Sequence, residues 1–431
     1  MLPASSDVGI SVYDLTDHKI LYTYQAHKLS RPASVMKLLT AITALSLTDG
    51  EQPFRTEVWM DGTIDQDTLK GNLYVVGGFD PEFDDRGMNS LVESIASLPF
   101  SVIQGKVFGD VSMSDSLYWG SGWAWDDAPA AYQPYMSPLM FCKDAVEIIA
   151  SPSKTAGNAA TLSYKPKSSF YTLSNKTQSN TASAGKFVFT RDWLTDGNHL
   201  VVYGNVVYGR KDWISIFDSP GFFLHTFIER LQAKGISVSS SYALVELPTS
   251  SDEVRTKRLA YWETPIQDVL NQLMKESDNL NAEALLYRLA AQSTGKKYVS
   301  ADDGIAEIKK LIRTMGRDPG DYKLADGCGL SNYNYVSPDL LVDFLKYAYS
   351  DSSIYRRLYD ALPVGGVEGT VKNRLKSRAT IKNVHAKTGS FTAINSLAGY
   401  LKAANGHDIA FAILNQNIDY LAMIGACWHQ H

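Results

Sequence analysis

Cysteine is scarce in this chain, with three in 431 residues, at positions 142, 328 and 427. They lie far apart and form no C-x-x-C pair. A disulfide framework is therefore not expected, and at least one thiol is free. No H-E-x-x-H run and no knot of Cys and His appears, and the eight histidines are scattered. No metal and no cofactor is expected on that basis. Positive charge is also short: 41 Lys and Arg against 46 Asp and Glu, a net charge of −5. Without a dense basic block, no nucleic-acid partner is expected. Long apolar runs are missing too. The longest, residues 38–47, is broken by threonines and falls short of the ~18–20 residues of a membrane span. The opening MLPASSDVGI carries neither the positive region nor the apolar region of a signal peptide. Two expectations follow: a cytosolic protein, or one whose signal has been removed.

What is present suits a large core. Hydrophobic residues make up 45% of the chain and charged residues 20%, and the length suggests two or three domains. Residues 9–24 alternate in polarity around DLTDH and read as a β-hairpin. Residues 35–47 are apolar nearly all round and read as a buried helix, with Pro32 just ahead of it. From about Thr48 to Ser251 short strand-like runs dominate: NLYVVGG, VFGDVSM, KFVFT and HLVVYGNVVYG. Residues 152–181 look like a polar loop region with one strand. Past Pro265 helical spacing returns, with Ile266, Val269, Leu270, Leu273 and Met274 on one face and Ala282, Leu285, Leu286 and Leu289 on the next. Three strands follow, at 384–390, 397–403 and 409–414, the last two joined through Asn405–Gly406, a hairpin signal. Residues 419–428 are expected to close the chain as a helix. The two ends thus read as one domain, residues 1–48 and 252–431, interrupted by an insertion at 49–251.

Ser34 and Lys37 stand three apart at the front of the apolar run. Ser-x-x-Lys recurs at Ser151, Ser183 and Ser293, so the tetrad alone decides nothing. Ser277–Asp278–Asn279 and Lys387–Thr388–Gly389 follow it in order, the first between two helices and the second on a strand. This ordered set is that of penicillin-binding proteins and class A β-lactamases. A serine hydroxyl is a poor nucleophile until a base removes its proton. At i, i+3 a lysine amine reaches the hydroxyl, and it serves as base once burial or a second cation lowers its pKa. Lys387 can be that cation. Ser277 can relay a proton to the leaving amine, and Asn279 can hold the substrate and Lys37. Lys387 and Thr388 suit a terminal carboxylate, Gly389 lets a substrate backbone lie close, and the N–H groups of Ser34 and Ser390 suit an oxyanion hole. A Ser-His-Asp triad using His385 is the weaker reading, because no G-x-S-x-G elbow accompanies it.

Beyond these motifs the chain resembles the class C low-molecular-mass penicillin-binding proteins, the D-alanyl-D-alanine carboxypeptidase/endopeptidases. RPASVMKLLTAITAL looks like their nucleophile helix. LKGNLYVVGGFDPEF, GSGWAWDDAPAAYQPYMSPL, LADGCGLSNYNYVSP, LPVGGVEGTVKNRL and AKTGSFTAINSLAGYL resemble further landmarks over nearly the whole chain. The resemblance implies an α+β, penicillin-recognising domain: a five-stranded antiparallel sheet with helices on its faces. It also implies an insertion folded as two nested, mostly β domains. The implied activity is hydrolysis of D-Ala-D-Ala stem peptides of peptidoglycan, with D-Ala cross-links as further substrates, through an acyl-enzyme on Ser34. The implied location is periplasmic or otherwise extracytoplasmic, which favours a removed signal, and the implied ligands include β-lactams. A homodimer is one assembly it allows. Cys328 replaces a serine of the family pattern, Asn332 an arginine and Cys142 an aspartate. These changes predict weak discrimination of stem-peptide side-chain charge, unless Asp126 or Asp127 supplies one. Trp123 and Trp125 read as local core. The rival readings are a β-lactamase on the same scaffold, which needs a deacylating carboxylate, and a non-catalytic wall-binding protein.

Overall fold

The computed structural model describes residues 6–47, 52–251, 255–296 and 298–418. The expected helix at 419–428, Cys427 and the junction positions 48, 49 and 252 lie outside the described residues. The rest divides into two compact units. The first draws on Met1–Gln52, Gly120–Trp123 and Pro265–His431, the second on Pro53–Trp119 and Ala124–Thr264.

The first unit is built on a five-stranded sheet. Its strands run in the order His385–Phe391, Ile394–Lys402, Asp408–Gln416, Asp7–Asp14, Lys19–Tyr24, every neighbour antiparallel. The two ends of the chain therefore meet in one sheet, with Ile10 opposite Ile413 on one side and Tyr24 on the other. Asn405–Gly406 turns the last hairpin, where Gly406 takes φ +88, a conformation glycine adopts without cost.

Helix Lys37–Leu47 follows a short 3₁₀ turn at Ala33–Met36 and is buried from Lys37 to Leu45. Each of Leu38, Leu39 and Ile42 is fully enclosed, which stabilises the fold by roughly 1.5–3 kcal/mol per side chain. That packing holds the front of the helix, where Ser34 and Lys37 stand, in one place. Helix Ile266–Lys275 buries the five apolar residues its spacing marked. Helix Asn279–Thr294 begins at Asp278, whose carboxylate accepts the Asn281 N–H at 3.0 Å, a standard N-cap. Ser277 sits between these helices with φ +62.

The second unit holds a five-stranded mixed sheet. Its order is Tyr242–Leu244, Val107–Asp110, Leu73–Val76, Phe54–Met60, Lys257–Thr264. The last of these strands pairs antiparallel with Phe54–Met60, so the unit runs beyond the change of texture at Ser251. Three three-stranded sheets accompany it, two of them built entirely from residues 145–215. One buried cluster runs through both parts, from Val58 and Leu73 to Val146, Leu200 and Val202.

Two features of this unit depart from the sequence expectation. Helices Asp85–Ala96 and Ser219–Ala233 stand among the strands. The first was signalled by Asp84, which caps it, and by Met88, Leu91, Val92 and Ile95 at helical spacing. The polar stretch 152–181 contains two strands, Thr161–Lys165 and Thr172–Ser179. The second buries only Thr177 and Ser179, so its sequence lacks the apolar alternation that marks a strand.

Candidate active site

Ser34, Lys37, Ser277, Asn279, Lys387, Thr388, Gly389 and Ser390 all belong to the first unit. Lys37 is fully buried. Its Nζ donates to Ser34 Oγ at 3.0 Å, to Asn279 Oδ1 at 2.6 Å and to the Cys328 carbonyl at 2.8 Å. Burial lowers its pKa from the ordinary 10.5, partly opposed by the charges that Cys328, Asp326, Asp278 and Glu283 carry when ionised. Lys387, equally buried, donates to Ser277 Oγ and to the Thr388 carbonyl, each at 2.8 Å. Burial and then the neighbouring Lys37 charge hold its pKa well below the ordinary value. Two ammonium groups in one dry site repel each other, so the arrangement favours a neutral form of one of them.

Strand His385–Phe391 lies at the edge of its sheet and close against the turn Ala33–Met36. A Cβ built on Gly389 would stand 2.6 Å from the Pro32 carbonyl oxygen and 3.0 Å from the Ser34 nitrogen. Only glycine permits that approach, and it brings the strand backbone beside the Ser34 N–H. Ser390 follows, its hydroxyl 3.3 Å from Asn395 Oδ1. The turn carries Ala33 at φ +49, a strained position for a residue with a Cβ. Gln416 braces it from both sides, accepting from the Arg31 N–H at 3.3 Å and donating to the Arg31 carbonyl at 3.0 Å.

Several participants could not be read from the motifs. The turn after Asp326 supplies the Cys328 carbonyl to Lys37, and two buried carboxylates hold it. Asp326 accepts from the N–H groups of Gly329 and Ser331, from Asn334 Nδ2 and from Trp123 Nε1, at 2.6–2.9 Å. Glu283 accepts from the N–H groups of Gly327 and Cys328 at 2.8 and 2.7 Å. Burial pushes the Glu283 pKa up to about 8, with the Asp326 charge adding to the effect and the hydrogen bonds opposing it. Both carboxylates are thus engaged by the turn behind Lys37. Gly329, at φ +84, lets this turn pack on the Ala33 carbonyl, where a Cβ would stand 2.0 Å away.

Trp123 is half-buried and ties the Gly120–Trp123 segment to this turn. Trp125 is 72% exposed and meets Trp193 at a tilt, ring centroids 5.4 Å apart, within the second unit, so it is not core as its sequence context suggested. His385 stacks on Tyr359 at 3.9 Å, its pKa lowered by burial. Asn332 is half-buried, and its carbonyl accepts from Arg31 Nε at 3.1 Å. Cys142 and Cys328 are free thiols, and burial raises the pKa of each. No helix among the described residues is long and apolar enough to cross a membrane.

The chain is similar to known proteins along its whole length. The model of the D-Ala-D-Ala carboxypeptidase 3 (S13) family matches residues 3–424. A D-alanyl-D-alanine carboxypeptidase DacB of Haemophilus influenzae is 26% identical over 416 residues, covering 95% of this chain and 85% of the relative. A D-alanyl-D-alanine carboxypeptidase of Actinomadura sp. (strain R39) is 27% identical over 424 residues, covering 94% and 77%. Among solved structures, penicillin binding protein 4 of Haemophilus influenzae superimposes with a TM-score of 0.83 at 24% identity, covering 97% of this chain and 92% of that one. The same protein has been solved with a β-lactam, and that structure matches with a TM-score of 0.78. These likenesses establish the α+β fold of the penicillin-recognising enzymes with its insertion. The match from residue 3 to residue 424 shows that the chain belongs to the D-Ala-D-Ala carboxypeptidase 3 (S13) family and is a serine-type carboxypeptidase, a hydrolase.

Proposed function

We propose that this enzyme removes the terminal D-alanine from peptidoglycan stem peptides through an acyl-enzyme on Ser34. The observation that carries the reading is the set of partners around Lys37. A protonated lysine has three N–H donors and no lone pair. A neutral lysine at the same place has two N–H donors, one each for Asn279 Oδ1 and the Cys328 carbonyl. Its lone pair then faces the third partner, Ser34 Oγ, and can accept the hydroxyl proton. Burial, the largest influence on Lys37, favours that neutral form.

In this reading Ser34 Oγ attacks the carbonyl of the penultimate D-alanine while Lys37 takes its proton. The oxyanion is held by the N–H groups of Ser34 and Ser390, which the Gly389 approach brings near each other. Lys387 orients the Ser277 hydroxyl, which passes a proton to the departing D-alanine amine. The substrate carboxylate lies over Lys387 and Thr388. Water then attacks the acyl-enzyme, and Ser34 leaves with its proton restored. A peptide whose leaving amine belongs to a cross-link fits the same steps, which gives endopeptidase activity. A β-lactam places a strained amide where the peptide carbonyl stands and acylates Ser34. Strand His385–Phe391 is an edge strand whose outer side is taken up by residues 363–364 at His385 and Ala386; the edge beyond Ala386 can take an extended peptide, a common mode of peptide recognition. The substrate class places the enzyme at the cell wall, outside the cytoplasm.

The test is release of D-alanine from an acyl-D-Ala-D-Ala peptide, followed alone and after treatment with one equivalent of penicillin. Release that penicillin stops is expected. A protein that binds the peptide and frees no D-alanine would overturn the reading in favour of a binding protein. Rapid, continuing hydrolysis of penicillin would favour a β-lactamase.

A further inference from the structure

Thr388 Oγ1 donates a hydrogen bond to Thr370 Oγ1 at 2.8 Å. Thr388 is buried and Thr370 exposed. A threonine hydroxyl has one proton to give. The Thr388 proton is already committed to Thr370, and Thr370 has no second hydrogen-bond partner among the described residues. The proton free to meet a ligand at the solvent side of Thr388 therefore belongs to Thr370. We propose that Thr370 is a substrate-binding residue, its hydroxyl donating to the terminal carboxylate that lies over Lys387 and Thr388. The inference rests on the carboxypeptidase reading above and assigns that site a donor from outside the three motifs.

The position of Thr370 is built rather than incidental. It lies in a short 3₁₀ turn, Gly369–Val371. Gly369 takes φ +62, and a Cβ there would stand 2.8 Å from the Lys275 carbonyl oxygen. Lys275 Nζ in turn pairs with Glu368 at 2.9 Å. Lys275 precedes Ser277 by two residues, so the segment carrying Thr370 is fixed to the segment carrying the proposed proton relay. The buried Lys387 bridges that relay to Thr388. The hydroxyls of Thr370, Thr388 and Ser277 and the Lys387 ammonium thus converge from three chain segments. Hydroxyl donors beside a desolvated cation suit a carboxylate, since hydrogen bonds to a charged acceptor are the strong ones.

The experiment compares Thr370→Val, which keeps the shape and removes the hydroxyl, with Thr370→Ser, which keeps the hydroxyl. Each is assayed for the second-order rate of penicillin acylation. Each is also assayed for turnover of an acyl-D-alanyl thioglycolate and of its methyl ester, which lacks the carboxylate. The valine variant is expected to lose roughly tenfold to a hundredfold with penicillin and the free acid, mainly through KM, and less than about threefold with the ester. The serine variant is expected to stay within about threefold of the unmodified enzyme throughout. Normal rates for the valine variant, or equal losses on acid and ester, would overturn the proposal. Failure of the unmodified protein to react with penicillin at all would overturn the carboxypeptidase reading, and this inference with it.

Discussion

Two stretches of this chain share one spelling and have different surroundings. Ser34–Lys37 and Ser293–Lys296 both place a serine and a lysine three residues apart in or beside a helix. Lys37 is fully buried and bonded to Ser34, Asn279 and the Cys328 carbonyl. Lys296 is 58% exposed and pairs with Asp303 at 2.5 Å, while the Ser293 hydroxyl turns back to the Ala290 carbonyl at 3.5 Å. Ser151–Lys154 and Ser183–Lys186 are exposed at all four positions within the second unit. An exposed lysine meets no burial penalty on its charge. A buried one beside a second cation can give up its proton. The spacing therefore supplies only reach; the enclosure and the partners supply the chemistry.

The largest expected effect removes the nucleophile from one side of this comparison and a serine from the other. Ser34→Ala is expected to abolish D-alanine release, while Ser293→Ala, Ser151→Ala and Ser183→Ala leave it within about twofold, as exposed substitutions usually do. Equal losses at Ser34 and Ser293, measured as kcat/KM on one peptide, would erase the distinction.

Next is the base. Lys37→Arg keeps a cation of similar reach that cannot lose its proton. It is expected to slow acylation by roughly 10²–10⁴, the usual contribution of a positioned base. In the unmodified enzyme acylation should rise with pH as Lys37 deprotonates, at a pH below its ordinary 10.5. Lys296→Arg should leave rate and profile alone. A stopped-flow pH profile with penicillin reads both.

The third sharpens the role of enclosure. Glu283 is a buried acid whose folded pKa is raised to about 8 from 4.5. Between those values the folded chain keeps a proton that the unfolded chain releases. Its contribution to stability is therefore present below pH 4.5 and lost as pH rises towards 8. Asp80 and Asp144, raised to about 7 and about 8 by burial, add losses of the same sign. Glu283→Gln should flatten part of this fall, by on the order of a few kcal/mol. Thermal melts of both proteins at pH 5 and pH 8 give the answer. An unchanged pH dependence would mean that Glu283 is ionised in the folded protein.

The smallest concerns substrate charge. Asn332 and Cys142 are neutral, from which weak discrimination of a free side-chain carboxylate follows. The structure sets Arg31 beside Asn332, which returns a cation to that place. Arg31 is exposed, so its contribution is small, about threefold. Arg31→Met should lower by that factor the kcat/KM ratio between peptides with a free and an amidated side-chain carboxylate. An unchanged ratio would leave Arg31 with its structural bond alone.

Much of the first unit was legible because its signals are local. The hairpin shows alternation, helix Lys37–Leu47 shows a nearly unbroken apolar run, and Asn405–Gly406 can hardly be anything but a turn. The three motifs were legible as residue types in order. Their meeting depends on contacts from distant parts of the chain, such as Lys387 to Ser277. The Cys328 carbonyl was invisible because every residue has one, and only the turn held by Asp326 and Glu283 aims it at Lys37. Thr370 carries no pattern of its own. In the second unit helix Asp85–Ala96 carried a cap and a helical stripe, overlooked among strand-like neighbours. Strand Thr172–Ser179 was hidden because its face is polar. Trp125 defied the expectation that a large aromatic is enclosed.

The most direct test of the central claim is intact-mass analysis of the unmodified protein after brief exposure to penicillin, followed by peptide mapping. The account predicts one long-lived adduct per chain, in the peptide containing Ser34, with the other three Ser-x-x-Lys peptides unmodified. An adduct on any of those three, or no adduct under conditions where D-alanine is released, would contradict it.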